Sequence, residues 1–230
     1  MNALSPRTRI KICGLTREQD VDAAVAAGAD AIGLVLYPPS PRCVTVARAA
    51  LLARRLPPFV TPVLLFVNEA PEQAAAALRA VPGAMAQFHG DETPEICEAS
   101  AGIAGRSYLR AARIPLGEAG DRFDLLQYAQ QFSSAKALLL DAQVEGYGGG
   151  GKVFDWSRLP TSVNAHLVLS GGLTPANVGG GIALLRSRAL SLAVDVSSGV
   201  EASKGIKDAT KIHAFVAAVR QADAAFAALS

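Results

Sequence analysis

Short apolar runs of strand length, bounded by glycine, proline or aspartate and followed by helix-patterned stretches, recur along the chain. This alternation restricts the fold more than any other feature. The runs lie at residues 9–13, 31–36, 63–67, 84–88, 107–110, 137–141, 166–170 and 192–196, eight in all. Between them fall an alanine-rich helix from Thr16 to Gly28, helices at about 46–55 and 71–81, a short one around 94–100, and one at 121–131. A further helix follows Pro175, and a last one over about 207–228 sets Ile212, Phe215, Val216, Val219 and Phe226 on one stripe. Strands that each need a helical crossover to reach the next pair in parallel, and eight of them close. The expectation is an α/β fold, a single (β/α)8 TIM barrel over residues 1–230 with residues 1–8 as a flexible arm. A doubly wound open sheet is the alternative, but the Gly-x-Gly-x-x-Gly turn usual after its first strand is missing.

Composition narrows the partners. At 230 residues and half apolar, the chain can bury one barrel core. A net charge of +2 with scattered basic residues makes no stripe for nucleic acid and no basic membrane face. No apolar run reaches the roughly eighteen residues of a membrane span, and Met1 to Thr8 is too short and polar for a secretory leader. A cytoplasmic protein acting on a small anionic molecule is expected, with no nucleic acid, no membrane, and a monomeric or homodimeric state. The three cysteines, Cys13, Cys43 and Cys97, form no Cys-x-x-Cys pair, which argues against a zinc site or a disulfide framework.

Two turns are suited to anions. Leu192-Ala-Val-Asp-Val runs into Ser197-Ser-Gly, where backbone NH groups converge with no bulky side chain. Leu167-Val-Leu runs into Ser170-Gly-Gly, with Thr174 placed to cap a helix and Pro175 at its first position. Successive turns of this kind after the last two strands are where barrels hold phosphate. The segment 142–155 carries four consecutive glycines, Gly148 to Gly151, and reads as a lid or a plain linker. Gly179 to Gly181 fit poorly inside a helix, where each costs roughly 1 kcal/mol relative to alanine, so that helix should start late or be short.

Strand parity selects the residues at the mouth. If Ile10 and Ile12 face the helices, Lys11 and Cys13 face inward; the same reasoning turns Gln87, His89, Arg110, Asp141 and Asp195 inward at strand ends, where barrel enzymes gather their reactive groups. Strands eight and one adjoin in a closed barrel, so Lys11 and Asp195 can form a structural ion pair. Cys13 and Asp141 are left to flank a substrate as base and acid, and a thiol near lysine can be drawn toward the thiolate.

The motifs Lys11-Ile-Cys-Gly-Leu-Thr-Arg, Ser40-Pro-Arg, Gln87-Phe-His-Gly, Leu139-Leu-Asp, Gly149-Gly-Gly-Lys-Val-Phe-Asp-Trp, Ser170-Gly-Gly-Leu-Thr-Pro-Ala-Asn-Val and Asp195-Val-Ser-Ser-Gly-Val-Glu, then Gly205-Ile-Lys-Asp, run the length of the chain. In that order they closely resemble the phosphoribosylanthranilate isomerase family of tryptophan biosynthesis. The resemblance implies a cofactor-free Amadori rearrangement of N-(5-phosphoribosyl)anthranilate, with no metal. Asp141 would protonate the ring oxygen and Cys13 would remove the C2 proton. Arg42 would hold the anthranilate carboxylate, Gly171, Gly172, Ser198 and Gly199 the phosphate, and Gln87, His89 and Asp195 would lie against the substrate. The chain departs from the family in its glycine loop, which lacks the usual threonine before Gly151-Lys152, in Ser170, and in the glycines at 179–181. Two other readings of the same barrel are a lysine aldolase, which needs Lys11 free, and a phosphosugar-binding barrel without catalysis, in which Cys13 and Asp141 are replaceable.

Overall fold

The computed structural model describes residues 7–143 and 154–228. Eight parallel strands close in sequence order into one barrel: β1 (Arg9–Cys13), β2 (Ala31–Val35), β3 (Thr61–Phe66), β4 (Met85–Phe88), β5 (Tyr108–Ile114), β6 (Ala137–Ala142), β7 (Val163–Leu169) and β8 (Ala189–Val196). The closing pair sets Lys11 opposite Asp195 and Ile12 opposite Val196. The crossovers carry α1 (Glu18–Ala27), α2 (Val46–Ala53), α3 (Pro71–Ala80), α4 (Pro94–Ala104), the short α5 (Glu118–Asp121), α6 (Leu125–Gln131) and α7 (Val178–Leu185), and α8 (Ala209–Ala227) follows the barrel. The fold is the (β/α)8 barrel that the alternation required.

Local chemistry sets the boundaries. Gly28 ends α1 in the left-handed region, φ 92°, with its NH on the Val25 carbonyl and the next NH on that of Ala24. Thr45, Thr93 and Asp208 cap α2, α4 and α8 through their side-chain oxygens. The turn before α7 does not use Thr174 as a cap: Asn177 accepts from the Thr174 NH and donates to the Gly172 carbonyl, and the helix begins only at Val178. That late start accommodates Gly179 and Gly180, and Gly181 has a separate reason, since a Cβ there would meet Leu169 at 2.5 Å and the Trp156 ring at 3.0 Å.

The larger core lies between barrel and helices, from Ile10 and Ile12 through Phe66, Phe88 and Leu140 to Val194 and Phe215. A smaller one fills the barrel with Val63, Leu109, Ala111, Leu139 and Val168, so the interior is packed and no pore runs through it. Each fully buried aliphatic or phenyl group contributes ~1.5–3 kcal/mol relative to exposure. Leu109 and Ala111 point inward, so Arg110 points out, and the placement of Arg110 at the mouth is corrected. Its guanidinium lies 4.8 Å over the Phe132 ring, bonds the carbonyls of Phe88 and Gly90, and pairs with buried Glu92 at 2.8 Å. The strand runs four residues further than its apolar core indicated, and Arg113 is the side chain that shares Asp141's register.

After β8, a single 3-10 turn (Ser198–Val200) leads to a two-stranded antiparallel hairpin, β9 (Glu201–Ser203) with β10 (Ile206–Lys207), turned at Gly205 with φ 80°. Residues 1–6 of the expected arm lie outside the described residues. Thr8 is buried, with its NH and hydroxyl both donated to Asp223 of α8. No helix among the described residues is long and apolar enough to cross a membrane.

Candidate active site

Inward parity at the C-terminal strand ends brings Lys11, Cys13, Gln87, His89, Asp141 and Asp195 together, all buried. Lys11 donates to Asp195 Oδ1 at 2.8 Å, each side chain about 5% exposed. Burial by itself would lower the lysine, but Asp195 and Cys13 together outweigh it, and the ammonium is held above its usual range. An amine so engaged is no Schiff-base nucleophile, which removes the aldolase reading.

Cys13 ends β1 above that pair. Burial pushes its thiol up; Lys11 pulls it down, Asp195 pushes it up again, and the net direction is upward. The expected drift toward thiolate is therefore reversed. Space for the sulfur comes from Gly33 across the β1–β2 pair, where a Cβ would strike Sγ at 2.5 Å.

Asp141 ends β6, and only β7 and β8 stand between its strand and that of Cys13 on the shorter way round. His89 Nε2 lies 3.0 Å from its Oδ2, and Gln87 Nε2 lies 3.0 Å from His89 Nδ1, so the two β4 residues end in a chain on the carboxyl. Gln87 Oε1 is buried with no hydrogen-bond partner among the described residues. The strand end is held from outside by Glu92, which accepts from the Asn68 and Gly90 amides while pairing with Arg110. Beside Asp141 stands Arg113, which bonds Asp91 at 3.4 Å.

Arg42 enters from the proline-braced loop after β2 and is 8% exposed. Its Nε and Nη2 fork onto Glu201 at 2.7 and 2.8 Å, and it crosses Gly14, where a Cβ would strike its chain at 2.5 Å and come within 3.1 Å of Ser197 Oγ. Gly14 thus lets Arg42 and the turn after β8 converge beside Cys13. In that turn the amides of Ser198 and Gly199, with that of Gly172 after β7, have no acceptor among the described residues. Gly171 and Gly172 are left-handed, φ 75° and 64°, and a Cβ on Gly199 would overlap the Leu173 carbonyl, so the two turns abut. No group of three or more metal-ligating side chains occurs among the described residues.

Sequence parity found the inner residues of β1, β4, β6 and β8 but missed Arg113, Glu201 and Lys207. For Arg113 the signal was available: counting by twos from Leu109 reaches it once β5 is allowed its full length. Glu201 and Lys207 depend on a hairpin of three and two residues, too short to show a period. The glycine stretch 148–151 lies outside the described residues.

A packed barrel with its reactive groups at one rim, and with backbone amides that lack an acceptor among the described residues at the last two strand ends, defines a class: the (β/α)8-barrel enzymes of small anionic substrates. The sequence model of the N-(5'-phosphoribosyl)anthranilate (PRA) isomerase family matches residues 10–218. An N-(5'-phosphoribosyl)anthranilate isomerase of Methylibium petroleiphilum is 65% identical over 222 residues, 96% of this chain and 98% of its own. The crystal structure of the Thermus thermophilus phosphoribosyl anthranilate isomerase superposes with a TM-score of 0.80 at 30% identity, covering 93% of this chain and 99% of that one. A second solved isomerase, in complex with reduced 1-(o-carboxyphenylamino)-1-deoxyribulose 5-phosphate, gives a TM-score of 0.74 at 35% identity over 93% of this chain and 99% of its own. The chain belongs to the N-(5'-phosphoribosyl)anthranilate isomerase family.

Proposed function

We propose that Cys13 and Asp141 are the base and the acid with which this chain carries out its family's isomerisation, a step of tryptophan biosynthesis. The substrate, N-(5'-phosphoribosyl)anthranilate, has a phosphate at one end and an aromatic carboxylate at the other. The amides of Gly171, Gly172, Ser198 and Gly199 take the phosphate, and the Nη1 edge of Arg42, turned away from Glu201, takes the carboxylate. The sugar then lies between Cys13 and Asp141. Asp141 gives its proton to the ring oxygen as the C1–O bond breaks, leaving a protonated Schiff base. Cys13, in its ionised form, removes the C2 proton; that electron pair forms the C1–C2 double bond as the C=N pair returns to nitrogen, giving the enolamine, and protonation at C1 with loss of the 2-hydroxyl proton yields the 1-amino-1-deoxyketose phosphate. No electron leaves the substrate.

Gln87 and His89 are read here as orienting Asp141, and Lys11–Asp195 as the floor beneath the sugar, with Asp195 beside the substrate. With Gln87 Nε2 donating to Nδ1, His89 donates from Nε2 to a carboxylate oxygen of Asp141, the arrangement after proton transfer. Turning the amide over would offer the orphaned Oε1 to an Nδ1–H, and His89 would then accept from a protonated Asp141, the state in which the acid step begins. The chain is read as one barrel domain, monomeric or homodimeric and cytoplasmic; sedimentation of the purified protein decides its oligomeric state.

What supports the reading is a buried thiol at the inner end of β1 and a buried carboxyl on the inner face of β6, with amides that lack an acceptor among the described residues at the ends of β7 and β8, in a chain of this family. Loss of anthranilate-conjugate fluorescence on mixing with fresh substrate tests it. Cys13→Ala and Asp141→Asn are each expected to lower kcat by about 10²- to 10⁴-fold with little change in KM. Full turnover by either variant would return that residue to the core and assign its proton transfer to another group at the mouth.

A further inference from the structure

Glu201 and Lys207 form a buried ionic cluster that the proposed chemistry does not use. Glu201 Oε1 accepts from Arg42 Nε at 2.7 Å and from Lys207 Nζ at 2.9 Å, and Oε2 accepts from Arg42 Nη2 at 2.8 Å. Lys207 Nζ also donates to the Ser197 carbonyl at 2.9 Å and to Ser197 Oγ at 3.3 Å. The ammonium has three protons and three acceptors, and its side chain is 0% exposed, so it has nothing left to offer a ligand. Burial lowers the lysine, with Glu201 opposing; burial would raise the glutamate, but Arg42 and Lys207 hold it below its usual range. The hairpin that carries both residues is seated on the Arg42 loop, for the Gly205 turn lies so close to the Pro41 carbonyl that a Cβ would meet it at 2.7 Å.

Two buried cations on one carboxylate are poor value as stabilisation, since well-packed apolar groups do as well. What such a cluster secures is spacing. We propose that Glu201 and Lys207 are positioning residues that fix the distance between Arg42 and the anion cup, so that the site measures a ligand's length from carboxylate to phosphate. Glu201 acts through the Arg42 guanidinium, and Lys207 ties Glu201 to the backbone of Ser197, the residue before the cup's amides. The β9–β10 hairpin is therefore part of the specificity apparatus although no atom of Glu201 or Lys207 need touch substrate. The proposal rests on the assignment of Arg42 to the carboxylate and of the turns to the phosphate.

A double-mutant cycle with substrate tests both levels. Glu201→Gln is expected to raise KM about tenfold while kcat stays within about threefold, and to add nothing further in an Arg42→Met background, because it acts through that arginine. Lys207→Met is expected to weaken competitive inhibition by inorganic phosphate about fivefold, since the Ser197 carbonyl loses its anchor. Glu201→Asp, one methylene too short to bridge both cations, is read in the same way if the glutamine variant does not fold. Full addition of the Glu201 and Arg42 effects, or an unchanged KM in the Glu201 variants, overturns the clamp alone. An Arg42→Met enzyme with wild-type KM overturns the carboxylate assignment and the clamp with it.

Discussion

At the scale of single residues, the thiol and the pair beneath it decide how this site responds to pH. Cys13 is pushed up chiefly by burial, and Lys11, the cation that would draw it down, is already claimed by Asp195. Alkylation of Cys13 by iodoacetamide, followed by mass spectrometry of its peptide, should still be accelerating above pH 9, where a free thiol of pKa near 8.5 has levelled off. A plateau below pH 8 would show that Lys11 wins and that the thiolate is preformed. Asp141 depends on its neighbours differently, through direction. His89→Ala removes the one side chain among the described residues that bonds Oδ2, and misplacing the proposed acid is expected to cost about 10²-fold in kcat with KM within about twofold. If KM rises instead while kcat holds, His89 touches substrate and does not serve the carboxyl. Lys11, Cys13, Gln87, Asp141 and Asp195 were all readable from alternation along a strand, because a buried parallel strand has only two faces. The partners that fix their chemistry were not, since Glu92, Glu201 and Lys207 come from loops and a hairpin whose positions only the closed barrel determines.

At the scale of elements, the glycines of α7 separate helix propensity from packing. Gly180 is exposed with open space where a Cβ would lie, whereas Gly181 is buried against Leu169 and Trp156. Gly180→Ala should therefore stabilise the protein by ~0.5–1 kcal/mol, and Gly181→Ala should destabilise it by ~1–3 kcal/mol, both read as shifts in the urea midpoint at constant slope. Equal and stabilising effects would mean that the helix is governed by propensity alone. The three glycines looked like one anomaly in the sequence because propensity treats them alike, and only the element packed beneath them distinguishes them. The strands were legible for the opposite reason: apolar runs bounded by turn residues reflect burial on both faces, and they located all eight. Their ends were less legible where polarity intervened. β5 reaches Ile114 through Arg113, and its apolar core stops earlier, which is how Arg110 came to be assigned to the wrong face.

At the scale of the whole molecule, the barrel closes β8 on β1, and the start of β1 is held by a charged cluster at the end opposite the mouth. Asp223 of α8 accepts from the Thr8 NH at 2.9 Å and from its hydroxyl at 2.6 Å, and pairs with Arg186, whose guanidinium lies 4.8 Å over the Phe226 ring. Arg220 reaches the Thr8 carbonyl at 2.7 Å, so the chain entry, the end of α7 and the last helix meet on one carboxylate. Burial would raise that carboxyl, but the Thr8 and Arg186 contacts hold it below its usual range. A depressed folded value means that the unfolded chain binds the proton more readily. The stabilisation is then fully present above the ordinary carboxylate range and is lost as pH falls through the folded value. Glu201, also depressed, adds to the same acid-side loss. Lys11 and Cys13 have the opposite sign: both are raised, so their share is intact below their ordinary values and fades as pH climbs through the folded ones. Stability should thus form a plateau across neutral pH, with an acid edge to which Asp223 at the closing end and Glu201 at the mouth both contribute, and an alkaline edge to which Lys11 and Cys13 contribute against the opposite sign of Lys207, which is lowered by burial. Asp223→Asn keeps the shape and one acceptor but removes the negative charge that Arg186 and Arg220 share, and is expected to cost ~1–3 kcal/mol at pH 7. The difference from wild type in urea unfolding should shrink as pH falls toward 3, because protonation removes the same charge from the parent. A difference that stays constant from pH 7 to pH 3 would show that the cluster stabilises by packing and hydrogen bonding alone, with no electrostatic share in closing the barrel.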